Sequence, residues 1–280
     1  MTELNLKNAS NQTIFATLFE PKISNKKIIL INSATGVKQQ IYFNISRFLA
    51  KNGFTVITYD YSGIGLSKPK ILKNSDSSMR TWGTEDFKTL TNFIKIKFEN
   101  YDKYLIGHSV GALILGMNEG SKQFKKFIFF GAQKAYVGNL NFKTKLLAYG
   151  GFGILQPFFT KIFGYFPAQY FGLGESLPKN AAFDWRTLIL NKKSTNALLE
   201  KIDFNFSNDL QQNVLVLRAE DDSWLTEKGV KSLLKETFPN LKPTYKVLKI
   251  ADSPKKEIGH INFFRSYNEP LWKIILKEFK

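Results

Sequence analysis

With 280 residues, 43% of them hydrophobic, the chain is long enough for one large α/β domain or two smaller ones with a sizeable core. It has no cysteine, which excludes disulfides, thiolate metal sites and thiol nucleophiles. Lys and Arg number 40 against 23 Asp and Glu, a formal charge of +17 that favours anionic surfaces. The lysines are scattered, and no helix-turn-helix, zinc-finger or RNA-binding motif accompanies them, so a nucleic-acid partner is not expected.

The opening "MTELNLKNASNQT" has no basic stretch leading into an apolar run, so a cytoplasmic setting is the expectation. "LNLKN" and "TIFATLFE", joined through Ala9-Ser10-Asn11, read as an antiparallel hairpin. Short apolar runs then alternate with helical patterns. "KKIILIN" (Lys26–Asn32), "FTVITYD" (Phe54–Asp60), "KYLIG" (Lys103–Gly107), "KKFIFFG" (Lys125–Gly131) and "VLVLRA" (Val214–Ala219) are the strands. Their continuous apolar character suits parallel strands covered on both faces. Helices are expected over Gln39–Asn52, Thr84–Phe98, Val110–Glu119, Lys228–Phe238 and Glu269–Phe279. The alternation predicts an α/β fold with a mostly parallel, doubly wound sheet. "PTYKVLKI" (Pro243–Ile250) carries lysines within a strand pattern, which suits a sheet edge.

The alternation breaks after Gln133. From there to about Asn213 no clear strand is visible, while aromatic residues and glycines abound. This predicts a mostly helical cap over 133–213, inserted into a core formed by 1–132 and 214–280.

Gly107-His108-Ser109-Val110-Gly111 is a G-x-S-x-G pentapeptide with a strand before it and a helix after it. The pentapeptide alone is weakly specific, but this context is what a nucleophile elbow needs. A sharp turn there holds the hydroxyl clear and aims the helix N-terminus at a developing oxyanion. A serine needs a base to remove its proton, and the chain has only two histidines. His108 adjoins the serine, so its ring must point away from the hydroxyl. His260, in "KKEIGHINFFR", is left as the candidate base. A carboxylate must orient that histidine, and "VLVLRAEDDSWL" supplies Glu220, Asp221 and Asp222 at the end of an apolar strand.

These motifs, with "DYSGIGLS" (Asp60–Ser67) after a core strand, resemble those of the α/β-hydrolases over nearly the whole chain. "SATGV", "GYFPAQYFGLGESLP" followed by "DW", and "IGHINFFR" are similar to those of a bacterial group of serine-aminopeptidase-like or lipase-like hydrolases. The resemblance implies Ser109 as nucleophile, His260 as base and Asp222 as orienting acid. Asp222 is chosen over Asp221 by a G-x-x-D spacing counted from Ala219, where the family has glycine. It also implies an oxyanion hole from the backbone N–H groups of Val110 and Thr35, although Ser33-Ala34 stand where many relatives carry His-Gly. The function implied is hydrolysis of a carboxylic ester or related acyl bond through an acyl-enzyme, on a small, apolar acyl substrate. No cofactor and no metal is implied; "GGFGILQ" lacks the third glycine and the preceding strand of a dinucleotide site. A peptidase of the aminopeptidase type, and a binding protein that keeps the fold without chemistry, are the alternatives.

Leu146–Thr160 is a run of 15 residues without a charge, yet its glycines and Pro157 argue against a membrane span. An aromatic inner face forming an acyl pocket is expected. Reversible contact of an exposed part with anionic membrane would follow from apolar area combined with positive charge.

Overall fold

The computed structural model covers Met1–Lys280. Its strands are β1 (Thr2–Lys7), β2 (Thr13–Phe19), β3 (Lys27–Asn32), β4 (Thr55–Tyr59), β5 (Asp102–His108), β6 (Lys126–Phe130), β7 (Tyr165–Phe166), β8 (Leu177–Pro178), β9 (Asn213–Ala219) and β10 (Lys242–Leu248). Eight form one sheet in the order β1-β2-β4-β3-β5-β6-β9-β10, while β7 and β8 form a separate ribbon. β1–β2 and β2–β4 are antiparallel, and the remaining neighbours in the large sheet are parallel.

The apolar runs are buried on both sides because alternate side chains leave a strand in opposite directions. Ile28 and Leu30 enter one core cluster, whereas Ile29 and Ile31 enter the other. Phe127 and Phe129 divide in the same way from Ile128 and Phe130. The two edge strands, β1 and β10, are exposed along most of their length, and the lysines of β10 suit that position. From β3 the chain moves to β4 on one side and later to β5 on the other. The connections therefore diverge between β3 and β5, which opens a crevice at their carboxyl ends, where Asn32 pairs with Gly107.

Several helices depart from the expected ranges for local reasons. The expected Thr84–Phe98 helix begins at Met79, because Ser78 and Thr81 form a reciprocal capping box, and it passes through a π-helical turn at Trp82–Phe87 before ending at Lys97. The expected Val110–Glu119 helix is α-helical only to Leu113 and 3-10 to Met117. Asn118 then turns extended and its side chain accepts the Gly120 N–H (2.9 Å), starting a new 3-10 turn. The expected Glu269–Phe279 helix is 3-10 over Ser266–Trp272, which contains Pro270, and α-helical only from Lys273. The other two lie close to expectation, at Phe43–Lys51 after a 3-10 turn and at Glu227–Glu236.

Between β6 and β9 the chain leaves the sheet. Helical segments occupy Phe142–Gly150, Gly151–Leu155 (a π turn), Gln156–Phe163, Lys179–Leu190 and Thr195–Leu199. The antiparallel pair β7–β8 corrects the expectation of no strand here; at two residues each, neither is long enough to show a period. This excursion has only a five-residue apolar cluster of its own, including Leu140, Phe152 and Ile189. Phe166, Leu177, Ala181 and Leu188 join the main core, so the segment is seated on the sheet's packing.

Candidate active site

Ser109 lies between β5 and the helix starting at Val110, with φ 53° and ψ −117°. That left-handed backbone is costly for any residue with a Cβ and persists only where its surroundings enforce it. Here the Ser109 N–H donates to the Phe130 carbonyl (2.9 Å) and its own carbonyl accepts from the Ala112 N–H (3.0 Å). The flanking glycines make the turn possible. A Cβ on Gly107 would lie 2.7 Å from the Ala112 Cα, and one on Gly111 would lie 2.3 Å from the Asn32 carbonyl oxygen.

His260 sits in an irregular loop after β10, and its Nδ1 is 2.6 Å from Asp222 Oδ2. The other Asp222 oxygen accepts the Trp224 N–H (3.0 Å), so the carboxylate is held from both sides. Its side chain is almost wholly buried, while the imidazole keeps 26% of its surface exposed. Asp221 is turned the opposite way: its oxygens accept the Ile258 N–H (2.9 Å) and the Gly259 N–H (2.8 Å). It braces the loop that carries His260 without touching the ring. Glu220 is at the surface, paired with Lys249 (3.1 Å). Of the three carboxylates read from the sequence, Asp222 is the one on the imidazole.

His108 is fully buried beneath this loop. Its Nε2 is 2.9 Å from the His260 carbonyl and its Nδ1 is 2.8 Å from the Tyr42 hydroxyl. A carbonyl can only accept, so the proton is assigned to Nε2, and Nδ1 accepts from Tyr42. The Tyr42 oxygen also accepts the Ala34 N–H (2.9 Å). Burial, with His260 close by, holds the His108 pKa well below the usual histidine value, so the ring is neutral. One buried chain of hydrogen bonds thus joins the loop after β3 to the backbone of His260.

The crevice opens into a cavity of about 610 Å³ whose wall includes Ser109, His260, Thr35 and Val110. Neither the Thr35 nor the Val110 backbone N–H donates to another protein group. Val37, Leu113, Leu173, Trp185, Leu188 and Trp224 make much of the remaining wall apolar. Glu175 is the one carboxylate on that wall, and it is neutralised. Lys38 and Lys68 lie 3.5 and 3.6 Å from its oxygens, and the Gly65 N–H donates to it (2.7 Å). Its backbone N–H donates to the Gly36 carbonyl (2.8 Å), which ties the excursion to the loop bearing Thr35.

Over its whole length the chain matches solved structures in fold. It resembles an esterase from Exiguobacterium antarcticum at 15% identity and TM-score 0.65, with 99% of each chain covered. It matches a Pyrococcus furiosus esterase at 14% identity and TM-score 0.61, covering 99% of this chain and 88% of that one. A bromoperoxidase from Bacillus anthracis gives 17% identity and TM-score 0.61, with 99% of each chain covered. Residues 23–150 match the family model described as serine aminopeptidase, S33. The chain has the α/β-hydrolase fold. No curated protein matches it by sequence.

Within this fold the "DYSGIGLS" loop is a brace. Asp60 accepts the N–H groups of Gln39 (2.7 Å) and Leu66 (3.0 Å), and a Cβ on Gly65 would lie 2.3 Å from its carboxylate. The "DW" pair divides its work: Trp185 lines the cavity, and Asp184 is a buried partner of Arg80, whose Nε lies 3.1 Å away. Sequence reasoning did not single out Tyr42, Arg80, Gln133 or Trp224. Gln133 Nε2 donates to the Trp224 carbonyl and its Oε1 accepts the Thr226 N–H (3.2 Å), which holds the strand end carrying Asp222. The one available signal was position, since Gln133 and Trp224 lie in the loops that leave the carboxyl ends of β6 and β9.

Proposed function

We propose that this protein, which has the α/β-hydrolase fold, is a serine hydrolase of carboxylic esters with an apolar acyl group. The observation that carries the reading is the shared cavity. Ser109 on its strained turn, the Asp222-bound His260 and two undonated backbone N–H groups all face it. His260 Nε2 takes the Ser109 proton as the oxygen attacks the ester carbonyl, and Asp222 keeps the Nδ1–H in place. The tetrahedral oxyanion is met by the Thr35 and Val110 amides. Collapse breaks the carbonyl–alkoxy bond; the alcohol leaves with the proton from His260, and Ser109 stays acylated. Water then gives His260 a proton as it attacks the acyl carbon, and the acid departs as Ser109 regains its hydrogen. Residues 133–213 act as a cap, with Leu173, Trp185 and Leu188 facing the acyl chain.

An aminopeptidase would need an unpaired carboxylate near the nucleophile to hold the substrate ammonium. Glu175, the only one on the cavity wall, is already matched by two lysines and an amide. That favours the ester reading over the peptidase one. A graded series of p-nitrophenyl esters tested beside aminoacyl p-nitroanilides decides between them, with a fluorophosphonate probe to locate the nucleophile. Labelling of the Ser109→Ala protein, or turnover of the anilides alone, would overturn the proposal.

A further inference from the structure

The helical run from Phe142 to Phe163 is inside out. Its buried stripe is Thr144, Ala148, Phe152, Gln156 and Thr160, spaced by four residues, which the π turn at Gly151–Leu155 helps to keep in line. Four of these five side chains are small or polar. The outward side carries Leu146, Leu147 (72% exposed), Ile154 (69%), Phe158 (56%), Ile162 (59%) and Phe163. A helix on a water-soluble surface normally turns its large apolar side chains inward. A contiguous exposed patch of this kind marks a surface that meets another apolar phase.

The charge around the patch says which phase. No Asp or Glu occurs from Gly120 to Gly174. Lys143, Lys145 and Lys161 stand at the two ends of the uncharged stretch and take part in no ion pair. An apolar helix face bracketed by unpaired lysines is complementary to an acyl layer beneath anionic headgroups. No helix is long and apolar enough to cross a membrane, so such a helix would lie in the interface plane.

We infer that the outer face of Phe142–Phe163 docks on an anionic phospholipid bilayer and turns the cavity mouth toward it. Tyr170 and Phe171 are exposed beside this face, and Phe171 packs on Phe159 with ring centres 5.4 Å apart. Their neighbours Gln169 and Leu173 already line the cavity, so a single loop separates the docking face from the site. Resting on the ester-hydrolase reading, the substrate class becomes long-chain acyl esters drawn from the bilayer.

The test is co-sedimentation with phosphatidylcholine vesicles, with and without phosphatidylglycerol, using the wild type and the Ser109→Ala protein. Both should pellet only with phosphatidylglycerol, and binding should weaken steeply in high salt. Ile154→Ser/Phe158→Ser/Ile162→Ser should lower binding about tenfold or more, as should Lys143→Glu/Lys145→Glu/Lys161→Glu. Both variants should hydrolyse a water-soluble short-chain ester at the wild-type rate, which shows that they fold. Recovery in the supernatant with phosphatidylglycerol at low salt, or pelleting undiminished by either variant, overturns the inference. So does a dimer in light scattering that the serine variant dissolves without any vesicle binding, since the face would then belong to a second copy. Vesicle binding by a protein that hydrolyses no ester would leave the docking standing and sink the reading of the site.

Discussion

The loop that carries His260 and the helical run from Phe142 to Phe163 are opposites. The loop has almost no regular structure, yet Asp221 holds its backbone, Asp222 holds its ring and His108 holds its carbonyl. The helical run is regular, yet it leaves its largest side chains in water, and a Cβ at Gly150, Gly151 or Gly153 would meet nothing within 4 Å. Backbone regularity and fixed side-chain position are therefore separate properties in this molecule. Position comes from long-range hydrogen bonds and burial, and substitutions should have effects that follow those bonds.

Breaking the fixed region should produce the largest losses. Ser109→Ala should lower kcat for a p-nitrophenyl ester by about 10⁵ or more with little change in Tm, measured by initial rates and thermal unfolding. Asp222→Asn should cost about 10⁴ in kcat, because the histidine loses the partner that fixes its tautomer. Asp221→Asn should cost less, since it removes one of two amide contacts behind the loop and none at the ring. The reverse ranking in steady-state kinetics would mean that the loop brace matters more than the ring contact.

A third test concerns Asp86, a buried group outside the cavity that accepts from the Ser62 N–H and from Asn8, both at 2.8 Å. Burial raises its pKa to about 6. The folded protein therefore holds this proton more tightly than the unfolded chain, whose Asp titrates near about 3.9. Its stabilising contribution is full below about pH 4 and is lost as pH rises through about 6, by about 2–3 kcal/mol in all. Urea unfolding of wild type and Asp86→Asn at both ends of that window should show their stability difference changing by that amount. A pH-independent difference would show that folding does not raise the Asp86 pKa.

The smallest effect belongs to the exposed helix. Ile154→Ser should change unfolding free energy by no more than about 0.5 kcal/mol, whereas a buried isoleucine would cost several times that. A large loss in urea titrations would show that the outward face packs against something in the free protein.

Much of this contrast is legible in the chain. Uninterrupted apolar runs such as "KKIILIN" and "KKFIFFG" are buried on both faces in any register, so the parallel strands could be read directly. The helices were less legible, because Ser78 and Asn118 start and stop them through local side-chain bonds that override periodicity. Ser109 stood out through its flanking glycines and His260 through the scarcity of histidine, both of which are local facts. Tyr42 could not be read, since its partner His108 lies 66 residues away and a tyrosine there looks like ordinary core. Arg80 and Asp184 are 104 residues apart, and their pairing exists only once the excursion is seated.

The sequence by itself determined the sheet, the turn at Ser109 and the uncharged stretch from Leu146 to Thr160, because each depends on residue types in one short window. Tertiary structure alone decided which side of that stretch faces water and which aspartate meets the histidine. Asp221 and Asp222 are chemically identical neighbours in the turn after β9, where the Asp222 N–H donates to the Ala219 carbonyl (3.4 Å), and their side chains leave that turn toward different partners. Only the position of the loop after β10 sends one to the backbone of Ile258 and Gly259 and the other to the ring of His260.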